Sequence, residues 1–377
     1  MRYLVLGSGR MARGLVHFLK RRDPGARIRV VDVVASAARD LARLAGVEAG
    51  RLDLASRKAV RAAMQDADVA LSAAHYRFNV MLTEEAARTR THLVDLGGNN
   101  DVVARQVALS PRVARAGITV VPDTGLAPGM TNLLAMWAIE GMDDVESVHI
   151  RVGGVPLEPE PPLNYQLVFA TEGLVNEYVE DALLIRGGRL LRVPSLTEVE
   201  TLRFPPPFGV MEAFHTSGGA STLVRTLRGR VRDLDYKTIR YPGHAARMHA
   251  LKHLGFMGSE PLIAGGARVS PRALTGLLLE KHLPSGGPDA VLVRVTAAGK
   301  RRGRRVTVRI GLVDIFDRAT GLTAMMRTTA FPSACIAWML GRGIIARPGV
   351  HPQETVVPIR RFVREMRSAG LALRRSK

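Results

Sequence analysis

Two stretches of this sequence bring together residues whose types and spacing could do chemistry. Near the start, "YLVLGSGRMARGLVHFLKRR" sets Gly7, Gly9 and Ala12 in the G-x-G-x-x-G/A spacing, with Arg10 and Met11 opening the segment that follows. The first glycine allows a tight turn, the second lets backbone approach a pyrophosphate, and the third position packs helix on strand. Far downstream, "EAFHTSGGASTL" (212–223) places His215 and Thr216 among hydroxyls and glycines. An imidazole of ordinary pKa, ~6.5, can take up and return protons at neutral pH, so His215 is a candidate for proton transfer; a hydrogen-bonded structural histidine is the competing reading. Other polar residues interrupt apolar runs: Asp95 in "THLVDLGG", Glu172 in "FATEGLVNEY", and Arg240 and His244 in "YKTIRYPGH". Glu172 and its neighbour Glu177 read equally as surface acids, Arg240 as a strand-edge charge, and His244 as a structural histidine.

The elements that must position these residues are legible from pattern. "YLVLG" is an apolar strand and the following segment an amphipathic helix; a second strand, "RIRVVDV", ends in Asp32, twenty residues beyond Ala12. An acidic side chain there can accept from both ribose hydroxyls of an adenosine and repels a 2'-phosphate, which favours NAD over NADP. Asp53 in "RLDLAS" lies either near the adenine or in an ordinary surface loop. Further strands at 68–74, 91–98 and 118–125 alternate with helical segments, the rhythm of a doubly wound parallel sheet. Their ends place Ala73, Ala74, Gly97, Asp123 and Gly125 along the carboxyl edge, where open α/β sheets bind ligands. From about residue 145 the texture changes to strands with turns and proline-rich crossings, predicting an α+β domain with a mainly antiparallel sheet. The apolar run at 321–345 and the helical tail read as a return to the first domain. The expected division is 1–124 with 322–377 for the Rossmann domain and 125–321 for the second domain.

Composition narrows the classes. With 377 residues, 46% of them apolar, the chain exceeds what one core usually supports. No window approaches the ~18 apolar residues of a membrane span, and Met1 leads directly into a strand, so a cytoplasmic protein is expected. The single cysteine, Cys335, excludes an internal disulfide and a multi-thiolate metal site, and reads as a core residue; no metal site is predicted. The formal charge of +20 would suggest polyanions, yet the excess is 47 Arg against 7 Lys scattered along the chain, with only "KRRGRR" (300–305) dense. That run lies between two predicted strands and reads as a solvated hairpin tip; few aromatics accompany it, so no specific nucleic-acid surface is predicted.

Several segments together carry a resemblance: "HYRFNVMLTEEAARTRTHLVDLGGN", "PDTGLAPGMTN", "PEPPLNYQLVFATEGLVNEY", "EAFHTSGGASTL", "YKTIRYPGHAARM" and "TAMMRTTAFPSACIAWMLGRGII". In this order, over nearly the whole chain, they resemble the saccharopine dehydrogenase superfamily, and more narrowly its lysine 6-dehydrogenase branch. The resemblance implies an NAD-dependent oxidative deamination at the ε-carbon of lysine, a Rossmann domain, a mixed-sheet second domain and a homodimer, here expected to close through the sheet of the middle domain. One departure is His75, where relatives often carry proline or an apolar residue. A lysine ε-amine of pKa ~10.4 must lose its proton before hydride can leave, which calls for a base and a desolvating pocket. In that chemistry His215 is the expected base or water activator, Glu172 or Asp95 the partner of the α-ammonium, Arg240 the carboxylate clamp, and Thr216 and His244 further substrate contacts. A saccharopine- or carboxynorspermidine-type reductase of the same superfamily, and a non-catalytic nucleotide- or polyanion-binding protein, are the competing readings.

Overall fold

The computed structural model describes residues 1–168 and 170–376, in two units. The first comprises Met1–Trp137, Ser221–Thr226 and Met326–Leu373; the second comprises Ala138–Ala220, Leu227–Met325 and the strand Arg374–Ser376.

The first unit is built on seven parallel strands. Its first six are β1 (Arg2–Leu6), β2 (Arg27–Asp32), β3 (Glu48–Arg51), β4 (Val69–Ser72), β5 (His92–Asp95) and β6 (Thr119–Val121), and the two-residue strand Gly349–Val350 completes it next to β6. Across the sheet the order is Gly349–Val350, β6, β5, β4, β1, β2, β3. β4 and β6 are buried at every position, as strands covered on both faces must be, and this is why they read as largely apolar, with Ser72 and Thr119 at their ends. The winding reverses between β1 and β4, which makes their carboxyl ends the topological switch point of the sheet. Helix Arg10–Arg22 follows β1 and packs against helix Ala324–Gly341: a Cβ on Gly14 would stand 2.7 Å from that of Ala330. Cys335 is buried within the latter helix.

The second unit carries a nine-stranded mixed sheet. Its long central members are β7 (Asp144–Pro156), β12 (Val231–Arg240), β15 (Asp289–Arg301) and β16 (Arg304–Ile315), with the intervening β8 (Ala182–Arg186), β9 (Arg189–Val193), β10 (Glu200–Phe204) and β11 (Gly209–His215) toward one side and Arg374–Ser376 at the other edge. Pairing is antiparallel except between β7 and β12, so the expected fold class, a doubly wound parallel sheet plus a mainly antiparallel α+β domain, is observed. The arginine-rich run forms the tip of the β15–β16 hairpin. A separate hairpin, β13 (Leu262–Ala264) with β14 (Ala267–Val269), stands outside this sheet. No helix among the described residues is long and apolar enough to cross a membrane.

Candidate functional site

In the first unit the switch point gathers most of the glycine-motif residues. Gly7 turns the chain at φ +101°, its N–H donating to Val31 O at 2.8 Å, and a Cβ there would lie 2.9 Å from Ala73 O. Gly9 caps helix Arg10–Arg22, and nothing lies within 4 Å of where its Cβ would stand, so the backbone is bare on the side a ligand would approach. The first turn, with Arg10 and Met11, carries no acid and no side-chain cap, and the positive end of the helix dipole there favours an anion. Ala12 is fully buried against the sheet, and Ala73 and Ala74 follow the end of β4. Asp32 accepts from Ser8 N and Ser8 Oγ at 2.8 Å each and from Val34 N at 3.0 Å. Burial opposes ionisation of this carboxyl, but the donors from Val34 and Ser8 outweigh it and hold the group below its ordinary value, as an acceptor-only carboxylate. These residues fit a dinucleotide: bare backbone at a helix N-terminus for the pyrophosphate and an ionised acceptor for the ribose. Asp53 is exposed and turns its carboxylate back on Ala55 N at 2.8 Å, a local loop contact.

Beyond β5 and β6 the carboxyl edge is built on buried acids. Asp95 is fully buried and accepts from Gly97 N (2.8 Å), Gln106 Nε2 (2.8 Å) and Asp123 N (3.3 Å). Its oxygens are thus spent on shaping the loops after two strands, and the role expected for it, at a substrate ammonium or as a base, is not available to a carboxylate so enclosed. Asp123 adopts a left-handed backbone, φ +58°, and accepts from Ser221 Oγ, while its Oδ1 is buried without a partner. Burial first, then the charges of Asp95 and Glu354, push its carboxyl up to about 8, so Asp123 is neutral at pH 7. Gly97, at φ +76°, is the reason this acid can fold in: a Cβ there would lie 1.9 Å from Asp123 Oδ1. Gly125, next along, forms a bridge to Gly129.

In the second unit helix Thr171–Val179, β12 and the loop before the helix place Glu177, Arg240 and Tyr165 together. The Arg240 guanidinium is buried, lies over the Tyr165 ring at 4.8 Å, donates through Nη1 to the neighbouring Ile239 O at 2.9 Å, and has the Tyr178 hydroxyl as a further partner. Its Nη2 is 4.0 Å from Glu177 Oε2, and its Nε has no partner; the buried Tyr165 hydroxyl has none either. A buried cation and hydroxyl left under-satisfied are costly unless something else completes them. A carboxylate oxygen pair is the ligand that suits a guanidinium and a phenol at once. Glu177 keeps 30% of its side-chain surface accessible, yet burial pushes its carboxyl up to about 7, against the opposing pull of Arg240. A carboxylate so placed can accept a proton near neutrality.

Two family patterns match this chain: one described as Saccharopine dehydrogenase NADP binding domain over residues 3–121, the other as Saccharopine dehydrogenase C-terminal domain over residues 125–371. The chain belongs to the saccharopine dehydrogenase family. Saccharopine dehydrogenase (NADP(+), L-glutamate-forming) of Saccharomyces cerevisiae is 27% identical over 198 residues, spanning 51% of this chain and 44% of the yeast protein. Alpha-aminoadipic semialdehyde synthase of Arabidopsis thaliana is 24% identical over 343 residues, spanning 78% of this chain and 31% of the plant protein. The matched region is thus less than half the length of these relatives. Among solved structures, apo saccharopine dehydrogenase (L-Glu forming) from S. cerevisiae superposes with a TM-score of 0.82 at 21% identity, over 100% of this chain and 99% of that one, a likeness of fold.

Within this saccharopine dehydrogenase fold, three expected substrate-side residues are committed to structure. His215 is 0% exposed; Nδ1 lies 3.1 Å from Tyr236 O and Nε2 3.1 Å from Glu198 Oε2. Both ring nitrogens face acceptors and the ring is wholly buried, so the structure turns neither nitrogen of the expected base toward a substrate. Thr216 is buried in a hydroxyl pair with Thr238, 2.7 Å apart. His244 is buried between Tyr178 Oη and Leu163 O, 3.0 Å each, and is pushed down to about 3 by burial and the charge of Arg240, so it is a neutral brace rather than an anion ligand. Glu172 lies on the exposed side of the helix that carries Glu177; five residues apart, the two point about 140° from one another. Of the substrate-side expectations, the structure brings Arg240 to a ligand-ready environment. Glu177 and Tyr165 were missed, since an acid in "NEY" and a tyrosine after "PPLN" carry no spacing signal of their own.

Proposed function

We propose that this chain is an NAD-dependent amino-acid dehydrogenase that oxidatively deaminates the ε-amine of L-lysine to the 6-semialdehyde, which then cyclises with its own α-amine. The observation that carries the reading is the under-satisfied Arg240 and Tyr165 beside Glu177: a carboxylate clamp next to a proton acceptor. Arg240, with Nε unpartnered, and the Tyr165 hydroxyl receive the substrate carboxylate. Glu177, ionised above about pH 7, takes the proton that an alkyl ammonium must lose before its carbon can give up hydride. Asp95 and Asp123 position the loops at the carboxyl edge of the parallel sheet. A bound nicotinamide supplies the hydride acceptor. Overall, one C–H bond and the C–N bond of the ε-carbon are exchanged for a carbonyl whose oxygen comes from water; the hydride passes to the nicotinamide, and ammonia and a proton are released. Asp32 supports NAD over NADP, since an ionised carboxylate at the ribose attracts hydroxyls and repels a phosphate.

A second reading is favoured by the comparisons. The family pattern is described as NADP-binding, and the yeast relative is named as NADP-linked and glutamate-forming, which supports a saccharopine-type reaction. Steady-state turnover with lysine, ornithine and saccharopine, each with NAD and with NADP, separates the two. Lysine with NAD is expected to turn over with stoichiometric ammonia. Turnover confined to saccharopine with NADP would replace the first reading by the second.

A further inference from the structure

His244 touches both arms of the proposed carboxylate clamp. Toward Tyr165 it meets the ring edge-on, centroids 5.4 Å apart, and its Nδ1 lies 3.0 Å from Leu163 O, two residues earlier on the same segment. Toward Arg240 its Nε2 faces the Tyr178 hydroxyl at 3.0 Å, and that hydroxyl is hydrogen-bonded to Arg240 in turn. The Phe214 ring lies nearly parallel to the imidazole, centroids 6.3 Å apart, and closes a third side. The backbone fixes where this imidazole stands. His244 opens helix His244–His253 directly after Gly243, which turns at φ +86°. Glu212, on β11, accepts from Gly243 N at 2.9 Å and from Ala245 N at 2.6 Å, so a carboxylate at the helix N-terminus holds the turn that joins Arg240 to His244.

The chemistry of the partners gives these contacts a direction. A carbonyl oxygen only accepts, so Nδ1 of His244 carries the hydrogen that goes to Leu163. The ring is buried beside a guanidinium and neutral, which leaves Nε2 bare, and the Tyr178 O–H donates to it. With its one hydrogen spent, the Tyr178 oxygen can meet Arg240 only as an acceptor. Donation therefore runs one way, from Arg240 to Tyr178 to His244 to Leu163. We infer that Tyr178 and His244 are positioning residues for substrate: they hold the Arg240 guanidinium in one orientation, its Nε left unpartnered for a carboxylate, and tie it to the segment that carries Tyr165. This rests on the reading of Arg240 and Tyr165 as the carboxylate site. A guanidinium fixed before the substrate arrives spares the ordering cost that a mobile side chain meets on binding.

Tyr178→Phe keeps the ring and removes the acceptor. It should raise KM for lysine by ~10-fold, the size of one lost hydrogen bond to a charged group, with kcat held within about two-fold. For 1,5-diaminopentane, the lysine skeleton without its carboxylate, KM should be the same in variant and wild type, a split that a general structural loss does not produce. His244→Gln, whose amide oxygen can still accept from Tyr178, should fall between wild type and His244→Leu. Should the variants unfold, nitrogen-15 NMR of the His244 ring in the wild type decides, with no substrate present: at pH 7 it should be neutral, with the hydrogen on Nδ1. An imidazolium, or a ring protonated at Nε2, overturns the inference. So does a Tyr178→Phe enzyme whose KM rises equally for both amines, or for neither. A wild type that turns over saccharopine alone ends the lysine reading instead, and the His244 tautomer still decides this inference.

Discussion

Glu177 and Arg240 form a pair in which each residue sets the other's behaviour. Burial raises the Glu177 carboxyl to about 7 and the guanidinium 4.0 Å away restrains that rise. If Glu177 accepts the substrate proton, turnover climbs as pH passes through about 7, since only the ionised form can act. Glu177→Gln should lower kcat/KM by ~10²–10⁴ and flatten that acid limb. Arg240→Ala should raise KM for lysine by ~10–100-fold, the cost of a lost charge-assisted contact, and move the limb to higher pH, because the restraint on Glu177 is gone. A pH–rate profile of the three proteins checks all of this. An unchanged limb in Glu177→Gln, with turnover intact, would return the glutamate to a structural role.

The loops that end β5 and β6 show how elements hold an acid in an unfavourable place. Asp123 sits on a left-handed backbone with one oxygen unpartnered, a conformation of the kind that persists only where surroundings over-determine it. Gly97 supplies the space. Gly97→Ala puts a Cβ into the carboxylate at a positive φ as well, and should cost on the order of 2–4 kcal/mol, read as a lower midpoint in urea. Asp123 also ties stability to pH. Its folded pKa, about 8, lies above the unfolded value, so the folded chain binds more protons across the interval between them. Stability from this group is complete below the unfolded value and falls as pH rises toward 8. Thermal midpoints from pH 5 to pH 9 should therefore drop more steeply in the wild type than in Asp123→Asn; Asp95 and Glu354, both raised by burial, account for slope that remains.

For the molecule as a whole, cofactor preference should be visible as stability. A ligand that binds only the folded chain adds ~2.7 kcal/mol at a hundred times its Kd, so saturating NAD should raise the unfolding temperature, and NADP at equal concentration should raise it less. Asp32→Ser removes both the ribose acceptor and the charge that repels a 2'-phosphate. In that variant the stabilisation by NAD should shrink and the gap to NADP should close. An undiminished preference for NAD would mean that another residue reads the ribose.

What the sequence determined by itself is what depends on neighbours a few positions away. The glycine spacing after β1, the acid closing β2 and the apolar strand runs are local patterns, because a turn, a helix N-terminus and a buried strand each impose a short period on side chains. The family likeness rests on the same kind of ordered local signal. Tertiary structure decided which polar groups are free. His215 looked available among hydroxyls and glycines, but Glu198 and Tyr236, 17 and 21 positions away, occupy both of its nitrogens. Thr216 and His244 are spent in the same way on Thr238, Tyr178 and Leu163. Glu177 reads in sequence as one more helical acid; its carboxyl is raised toward neutrality only because folding desolvates it, beside Arg240 and Tyr165, 63 and 12 positions away. Whether a buried polar group is satisfied depends on its partners in space, and one-dimensional spacing does not carry that information.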